Sequence, residues 1–355
     1  MKKALIAMSG GVDSSVAGLL TQGQGWDCVG CTMQLRTVTD ATAETCGSAQ
    51  DVSDARSVAT RLQMPFHVYD FTADFKAKVI DKFIACYEQG ITPNPCLDCN
   101  RYLKFDKLYD CARELGCDVI VTGHYARIRQ SGGQYYLQKA VDASKDQTYF
   151  LYQLTAEQLA HTLFPLGGLT KTQVRAIATE HGFVNATKKE SQDICFVPDG
   201  DYAKVIEQYT GKHYPVGDFV DTTGKVLGQH RGIIHYTIGQ RKGLNIAAEQ
   251  RLYVCDICPT KNQVCLCGRD GLLQDYAMVQ DFHWINGVPA EKEFRCQVKI
   301  RYNQKEQPAT IHVLAPHQVK IVFDEPQRAV TPGQAAVLYQ GDIVLGGGIM
   351  TKHSL

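Results

Sequence analysis

The chain has 355 residues, enough for two or three domains, and its 44% hydrophobic and 21% charged content is that of a globular protein rather than a disordered or fibrous one. Thirty-seven basic and thirty-seven acidic residues cancel. No global field then draws nucleic acid, and any nucleic-acid site has to be a local basic patch.

The first apolar run, Ala4 to Met8, has strand length, and it meets Ser9-Gly10-Gly11 too soon to be the core of a signal peptide. No run is long enough to span a membrane. The expectation is a cytoplasmic protein whose 14 cysteines are by default small, reduced, buried hydrophobes. After Ser9-Gly10-Gly11-Val12-Asp13-Ser14-Ser15 the apolar spacing of Val16 to Leu20 suits a helix. A strand, a glycine turn and a helix N-terminus make a phosphate cradle, because the first helical N–H groups lack internal partners and the helix dipole favours negative charge there. Adjacent glycines alone also read as an ordinary capped turn. The usual P-loop is excluded, since no lysine follows the glycines.

Cys28 to Met33 reads as a second strand, and Val52, Ala55, Val58, Ala59 and Leu62 as one helical face. Phe66 to Tyr69 is a third strand. Phe75, Val79 and Phe83 mark a helix, and Leu103, Leu108, Ala112 and Leu115 mark another that stops near Gly116. Asp118 to Thr122 is a fourth strand, followed by Gly123-His124-Tyr125. This alternation predicts an α/β domain with a doubly wound, mostly parallel sheet, with ligands at the carboxyl ends of its strands. A hairpin over 128–140 turns at Gly132-Gly133, and Thr170-Lys171-Thr172-Gln173 is a capping box that opens a helix closed by Gly182. Helical periodicity fades near 200, β-rich pieces follow to about 271, and alternating strands then suggest an antiparallel barrel. Its expected turns are at Pro316, Glu325-Pro326, Pro332-Gly333 and Gly346-Gly347-Gly348. The expected domains are 1–200, a central β-rich domain at 201–272, and the C-terminal barrel at 273–355.

Cys96 and Cys99 lie in Thr92-Pro93-Asn94-Pro95-Cys96-Leu97-Asp98-Cys99-Asn100, a loop that ends where a helix begins. A thiol at a helix N-terminus has a lowered pKa and becomes a usable nucleophile. Cys195 sits in Ser191-Gln192-Asp193-Ile194-Cys195-Phe196. Taken alone, each of these reads more readily as a structural thiol. C-x-x-C at 96–99 is also half of a zinc pattern, whereas the pairs at 28–31 and 255–258 lie on apolar stretches and read as buried structural residues.

The combination is more specific than its parts. The Ser-Gly-Gly-Val-Asp-Ser loop, the Asn94 to Asn100 stretch, Lys145-Asp146-Gln147, Ser191 to Phe196, and Tyr236-Thr237-Ile238-Gly239-Gln240-Arg241-Lys242-Gly243-Leu244 occur in this order, with Pro332 to Tyr339 near the end. The chain resembles the tRNA-specific 2-thiouridylase family, pyrophosphatase-loop enzymes with an adenine-nucleotide α-hydrolase-like fold, along essentially its entire length. The resemblance implies ATP- and Mg²⁺-dependent 2-thiolation of the wobble uridine in the anticodon loop of tRNA. Sulfur would arrive as a persulfide from a cysteine desulfurase, directly or through relay proteins. It implies ATP binding by Ala7, Met8, Ser9, Gly10, Gly11, Val12, Asp13 and Ser14, with Met33 and Gly123 lining the nucleotide, and it makes Asp13 a carboxylate near the metal. Cys99 matches the nucleophile and Cys195 the persulfide carrier, and a disulfide between the two would release sulfur. Asn94, Pro95 and Cys96 match the stretch beside the target base. Lys145, Asp146, Gln147, Arg301 and Tyr302 match tRNA contacts.

The family usually has Asp where this chain has Cys96. Cys96, Cys99 and Cys195 are then a possible ligand set for three irons of a [4Fe–4S] cluster; the alternatives make Cys96 a spectator or a resolving thiol. The plain readings of the other positions are core for Met33, a solvated loop for 145–147, an exposed strand pair for Arg301 and Tyr302, and surface charge for Arg241 and Lys242. Two rival functions remain: an adenylating ligase for a small molecule, and a tRNA-binding protein without catalysis.

Overall fold

Strand Lys3–Ala7 (β1) is the centre of a five-stranded parallel sheet. On one side of it lie Asp27–Gln34 (β2) and then Phe66–Asp70 (β3); on the other lie Val119–Val121 (β4) and then the short strand Thr162–Leu163. Ala4, Leu5 and Ile6 are all fully buried, which is why β1 reads as a continuous apolar run rather than an alternating one. Ala4 and Ile6 pack with Val12, Val16 and Ala17 of helix Val12–Gly23 (α1), with Ala55, Val58 and Ala59 of helix Ala49–Arg61 (α2), and with Val174 and Ala178 of helix Lys171–Glu180. This computed structural model describes residues 2–36, 47–188, 194–197 and 199–352. The chain divides into two units, the first comprising 1–79, 95–200 and 341–345, the second 80–94, 201–340 and 346–355.

Local signals in the first unit hold well. The expected capping box opens Lys171–Glu180: Gln173 accepts the Thr170 N–H at 2.8 Å, and Thr170 Oγ1 accepts the Gln173 N–H at 3.4 Å. A second box, Ser48 with Asp51, opens α2. The hairpin is Arg127–Ser131 with Gln134–Gln138, turning through Gly132 and Gly133 at φ +58° and +77°, the left-handed pair that matches strand twist. The helices around the cysteines depart from the simple 3.6 pattern. Thr72–Phe75 passes into π-helical turns over Lys76–Ile80, and Pro95–Asp98 passes into π-helical turns over Cys99–Lys107 before Leu108–Glu114. Such wide turns concentrate at functional sites.

In the second unit a four-stranded sheet runs in the order Tyr253–Cys258, Gln263–Cys267, Gly217–Asp221, Val226–His230. Helix Tyr202–Thr210 precedes it, a segment read from sequence as fading helix; Ala203, Val205 and Ile206 are buried and Gly211 ends it at φ +65°. The barrel order is Leu273–Trp284, Gln318–Arg328, Gln307–Ala315, Glu293–Lys299, Ala335–Gln340 and Ile343–Met350, with the last of these pairing back on the first through Val279↔Met350 and Trp284↔Gly346. Two expected turns are strand instead. Glu325-Pro326 lies within Gln318–Arg328, where the register against Leu273–Trp284 shifts. Gly346-Gly347-Gly348 is the closing seam: a Cβ at Gly346 would fall 2.1 Å from the His283 carbonyl oxygen, and one at Gly348 2.7 Å from that of Gln280. Those glycines permit two strands to approach, a role that looks identical to a turn in one dimension. Among the described residues no helix is long and apolar enough to cross a membrane.

Candidate active site

The order β3-β2-β1-β4 reverses direction at β1, so the crevice beyond the carboxyl ends of β1 and β4 is the topological switch point. The Ser9 loop and Gly123 both stand there. The loop's start is tied to β2, since the Met8 N–H donates to Cys31 O at 2.7 Å and the Thr32 hydroxyl donates to Met8 O. Gly10 has φ +73°, and a Cβ on it would meet Asp51 O at 2.4 Å; a Cβ on Gly123 would meet Ser14 N at 2.7 Å. The loop is thus held between the first turn of α2 and the end of β4, and only glycine fits at either contact. Gly11 caps α1 with extended backbone and no side-chain cap, leaving the first helical N–H groups for an anion. Ser14 braces the turn, donating to Gly11 O at 3.0 Å and accepting the Ser9 N–H at 3.1 Å.

Within the expected ATP stretch, Ala7 ends β1 and the Met8 and Val12 side chains point into the core. Only their backbone can meet a ligand. Met33 lies half-buried near the end of β2.

Asp13 stands in the first turn of α1, where a carboxylate suits the dipole. Lys171 Nζ meets both of its oxygens, at 2.8 and 2.7 Å, and the Tyr125 hydroxyl donates to one of them at 2.9 Å. The Lys171 ammonium also lies 5.7 Å from the centre of the Tyr125 ring. Sequence reasoning used Lys171 only as part of a capping box and missed this role. The available signal was a lysine at the first position of a helix, where the dipole disfavours a cation. Lys188 and Asn185 were missed as well. Lys188 binds Asp51 at 2.8 Å and Asp54 at 2.6 Å and reaches Gly10 O at 3.4 Å; Asn185 donates to Gly10 O at 2.9 Å and to Ser15 Oγ at 3.0 Å.

The helix carrying the two cysteines starts at Pro95, directly after Asn94. Cys96 is therefore in the first turn and Cys99 one turn further in. Cys99 is half-buried, and desolvation around its sulfur, opposed by the Lys104 ammonium, pushes its thiol up to about 11. The expectation of a lowered pKa at Cys99 fails because the helix begins earlier than the loop composition suggested, and desolvation outweighs the dipole. Next to Cys195, the Phe196 ring packs edge-on to Phe75 with centroids 5.8 Å apart. Thr72–Phe75 lies against Cys99–Lys107, with Lys107 Nζ 2.6 Å from Asp74. The Phe75 segment thus braces both cysteine-bearing segments. Ser191, Gln192 and Asp193 lie outside the described residues. Cys96, Cys99 and Cys195 are thiols. Among the described residues no group of three or more His, Cys, Asp or Glu side chains could hold a metal ion. The three thiols are thus not gathered into a ready ligand set for a cluster. Cys28 and Cys31 are buried as expected, while Cys255 and Cys258 are only half-buried.

His124, beside Gly123, is buried between Phe105 and Phe164, with Nδ1 2.8 Å from the Thr122 hydroxyl; burial, with Lys104 adding to it, holds its pKa well below the ordinary value. The 145–147 stretch is more than a solvated loop. Buried Asp146 accepts from the Ala140 N–H at 3.0 Å and the Thr148 hydroxyl at 2.6 Å, and Gln147 exchanges bonds with the Tyr125 backbone. Arg301 and Tyr302, expected within a strand, lie instead in the turn after Glu293–Lys299, both half-buried. Arg301 donates to Ala329 O at 2.6 Å and Thr331 Oγ1 at 2.8 Å, and the Lys299 ammonium lies 5.4 Å from the Tyr302 ring centre.

A glycine cradle at the switch point of a parallel sheet, with a carboxylate in the first turn of its helix and a lysine from a distant helix on that carboxylate, defines an ATP-using domain of the pyrophosphatase-loop type. Comparison with known proteins narrows this. Residues 2–199 match the family described as tRNA methyl transferase HUP domain, 203–268 the tRNA methyl transferase PRC-barrel domain, and 274–350 the aminomethyltransferase beta-barrel domain. The chain is 49% identical over 355 residues to a tRNA-specific 2-thiouridylase MnmA from Clostridioides difficile (strain 630), covering 99% of this chain and 98% of that one. It is 48% identical over 363 residues to the protein of that name from Carboxydothermus hydrogenoformans, again covering 99% and 98%. The chain belongs to the tRNA-specific 2-thiouridylase family. A U34-tRNA thiolase from Methanococcus maripaludis, solved with its [4Fe–4S] cluster, is 15% identical over 59% of this chain and 66% of that one; its TM-score of 0.35 is too low to bear on chemistry.

Proposed function

We propose that this enzyme uses ATP to replace the C2 oxygen of a tRNA wobble uridine by sulfur. The observation that carries the reading is the glycine cradle of Ser9 to Ser14, in a chain that shares nearly half its residues with named 2-thiouridylases over its whole length. A carbonyl oxygen is a poor leaving group. Attack of O2 on the α-phosphate of ATP makes an adenylated uridine and frees pyrophosphate, whose negative charge the N–H groups at the start of α1 stabilise. Asp13 is exposed enough to meet a Mg²⁺ ion, which typically takes one or two carboxylates and otherwise phosphate oxygens and water. That ion would neutralise phosphate charge, and Lys171 would exchange Asp13 for the phosphates.

The sulfur arrives on Cys195 as a persulfide, and its terminal sulfur attacks C2 while AMP leaves with the former O2. The Cys99 thiol then attacks Cys195 Sγ, forming a Cys99–Cys195 disulfide and releasing the 2-thiouridine; an external thiol reductant restores both cysteines. Desolvation favours the protonated Cys99 thiol, which slows its attack on Cys195 until it loses its proton. We assign this chemistry to 1–200, and tRNA binding to 201–272 and 273–355. Asn94, Pro95 and Cys96 lie beside the base, which an anticodon loop presents unstacked. Lys145, Arg301 and Tyr302 meet the tRNA, with Asp146 and Gln147 shaping the loop that presents Lys145. The persulfide donor is a cysteine desulfurase or a relay protein, and the setting is the cytoplasm.

The test mixes protein, ATP, unmodified tRNA and a persulfide donor, and measures AMP and 2-thiouridine. Wild type should form both. Cys195→Ser should form AMP without 2-thiouridine. Adenylation of a small acid or amide in place of tRNA would refute the reading.

A further inference from the structure

We infer that the loop Arg241–Leu252 in the second unit forms a binding cleft for the sugar–phosphate backbone of the tRNA substrate; this rests on the tRNA reading above. The loop is closed at its base by two backbone bonds, Gly239 N–H to Val254 O at 2.8 Å and Val254 N–H to Gln240 O at 3.0 Å. Gln240 clamps its first turn, accepting the Thr237 N–H at 2.9 Å and donating to Lys242 O at 3.0 Å. Gly243 at φ +77° and Asn245 at φ +53° supply the left-handed corners, and Leu244 is buried as an anchor. The backbone is thus preorganised although its polar side chains are exposed.

Those side chains share one chemistry. Arg241, Lys242 and Arg251 are exposed, and Glu249 is the loop's lone acid, which leaves a local surplus of two positive charges in a chain whose net charge is zero. Among the described residues no carboxylate pairs with any of the three cations. Arg241 and Arg251 line a cleft of about 430 Å³ together with Asn245 and Gln250. That volume is in the range that accepts a nucleotide-sized group rather than a single ion. Guanidinium groups match phosphate oxygens, and the two amides can meet 2′-hydroxyls or base edges. Leu244, Ile246 and Leu252 complete the lining, but Leu244 is buried and the other two are half-buried, so the groups most exposed to a ligand are guanidinium and amide rather than the aromatic or apolar centre of a protein interface. A neutral chain needs a local basic patch to hold RNA, and this loop provides one outside the pyrophosphatase-loop domain.

The experiment measures binding of unmodified tRNA against salt concentration for wild type, Arg241→Gln/Arg251→Gln, and the surface control Lys225→Gln. Each lost phosphate contact lowers the slope of log K against log salt by about 0.7–0.9. The double variant should therefore flatten the slope by about 1.4–1.8, with ATP affinity and unfolding midpoint unchanged, while the control leaves the slope alone. Tight tRNA binding by wild type with the same slope in the double variant would overturn the inference. So would an unchanged slope accompanied by slower thiolation only when a protein delivers the sulfur, which would make the cleft a protein site. Absence of tRNA binding by wild type would instead overturn the functional reading beneath it.

Discussion

Replacing Gly10 by alanine tests how the phosphate loop is built. Gly10 has φ +73°, and a Cβ there would lie 2.4 Å from Asp51 O and 2.7 Å from Asp51 Cα. Both obstacles are backbone. They belong to the first turn of α2, which the Ser48 capping box and the Lys188 ion pairs hold in place, so they cannot swing aside as a side chain would. A non-glycine residue pays about 1–2 kcal/mol for the left-handed conformation. Forcing a methyl group into a closed contact adds about 1–3 kcal/mol. The combined loss of about 2–5 kcal/mol is a large part of the roughly 5–15 kcal/mol that holds a domain folded. At about 2–4 °C per kcal/mol for a unit of this size, the melting temperature should fall by about 4–20 °C. Gly11→Ala is the matched control. Gly11 has φ −90°, and a Cβ there would meet only Ser9 Oγ at 3.4 Å. Its stability should stay within about 1 kcal/mol of wild type. Thermal and urea unfolding followed by circular dichroism compares the two. Equal stability of Gly10→Ala and Gly11→Ala would refute the close packing of the loop on α2.

Lys171→Met should leave the Asp13 carboxylate without its cation and cut tRNA-dependent AMP formation by more than tenfold; AMP release at the wild-type rate would remove Lys171 from the site. Cys99 should resist alkylation by iodoacetamide at pH 7–8 and react faster as pH rises toward 11, read by peptide mass spectrometry; rapid labelling at neutral pH would contradict the desolvated, protonated thiol. His124 is held neutral, so its folded pKa lies below the unfolded value of 6.5. Its contribution to stability is therefore complete above about pH 6.5 and is lost as pH falls through the lower folded value. Wild type should lose more unfolding free energy than His124→Asn between pH 6.5 and 5, and parallel pH profiles would count against this. Arg301→Ala should lower the unfolding midpoint by freeing Ala329 O and Thr331 Oγ1, and also flatten the salt dependence of tRNA binding; a stability loss with an unchanged salt slope would make Arg301 an anchor alone.

Order and type of elements were legible because their signals are local. Apolar period 2 or 3.6, the Thr170–Gln173 box and the Gly132-Gly133 turn each depend on a few neighbouring residues, and each reappears in the structure. The phosphate loop was legible for the same reason, since a strand, two glycines and a helix start are contiguous. Pairings between distant residues were not. Asp13 looked like a bare carboxylate until Lys171, 158 residues later, was found on both of its oxygens. Gly346 to Gly348 looked like a turn because a glycine that admits a neighbouring strand has the same letter as one that bends the chain. Cys99 looked like a helix-terminal thiolate because the sequence shows which residues favour a helix start but not how deeply a side chain is covered. Desolvation is set by everything packed around a group, wherever it lies in the chain, so the protonation of Cys99 and of His124 was decided by tertiary structure alone.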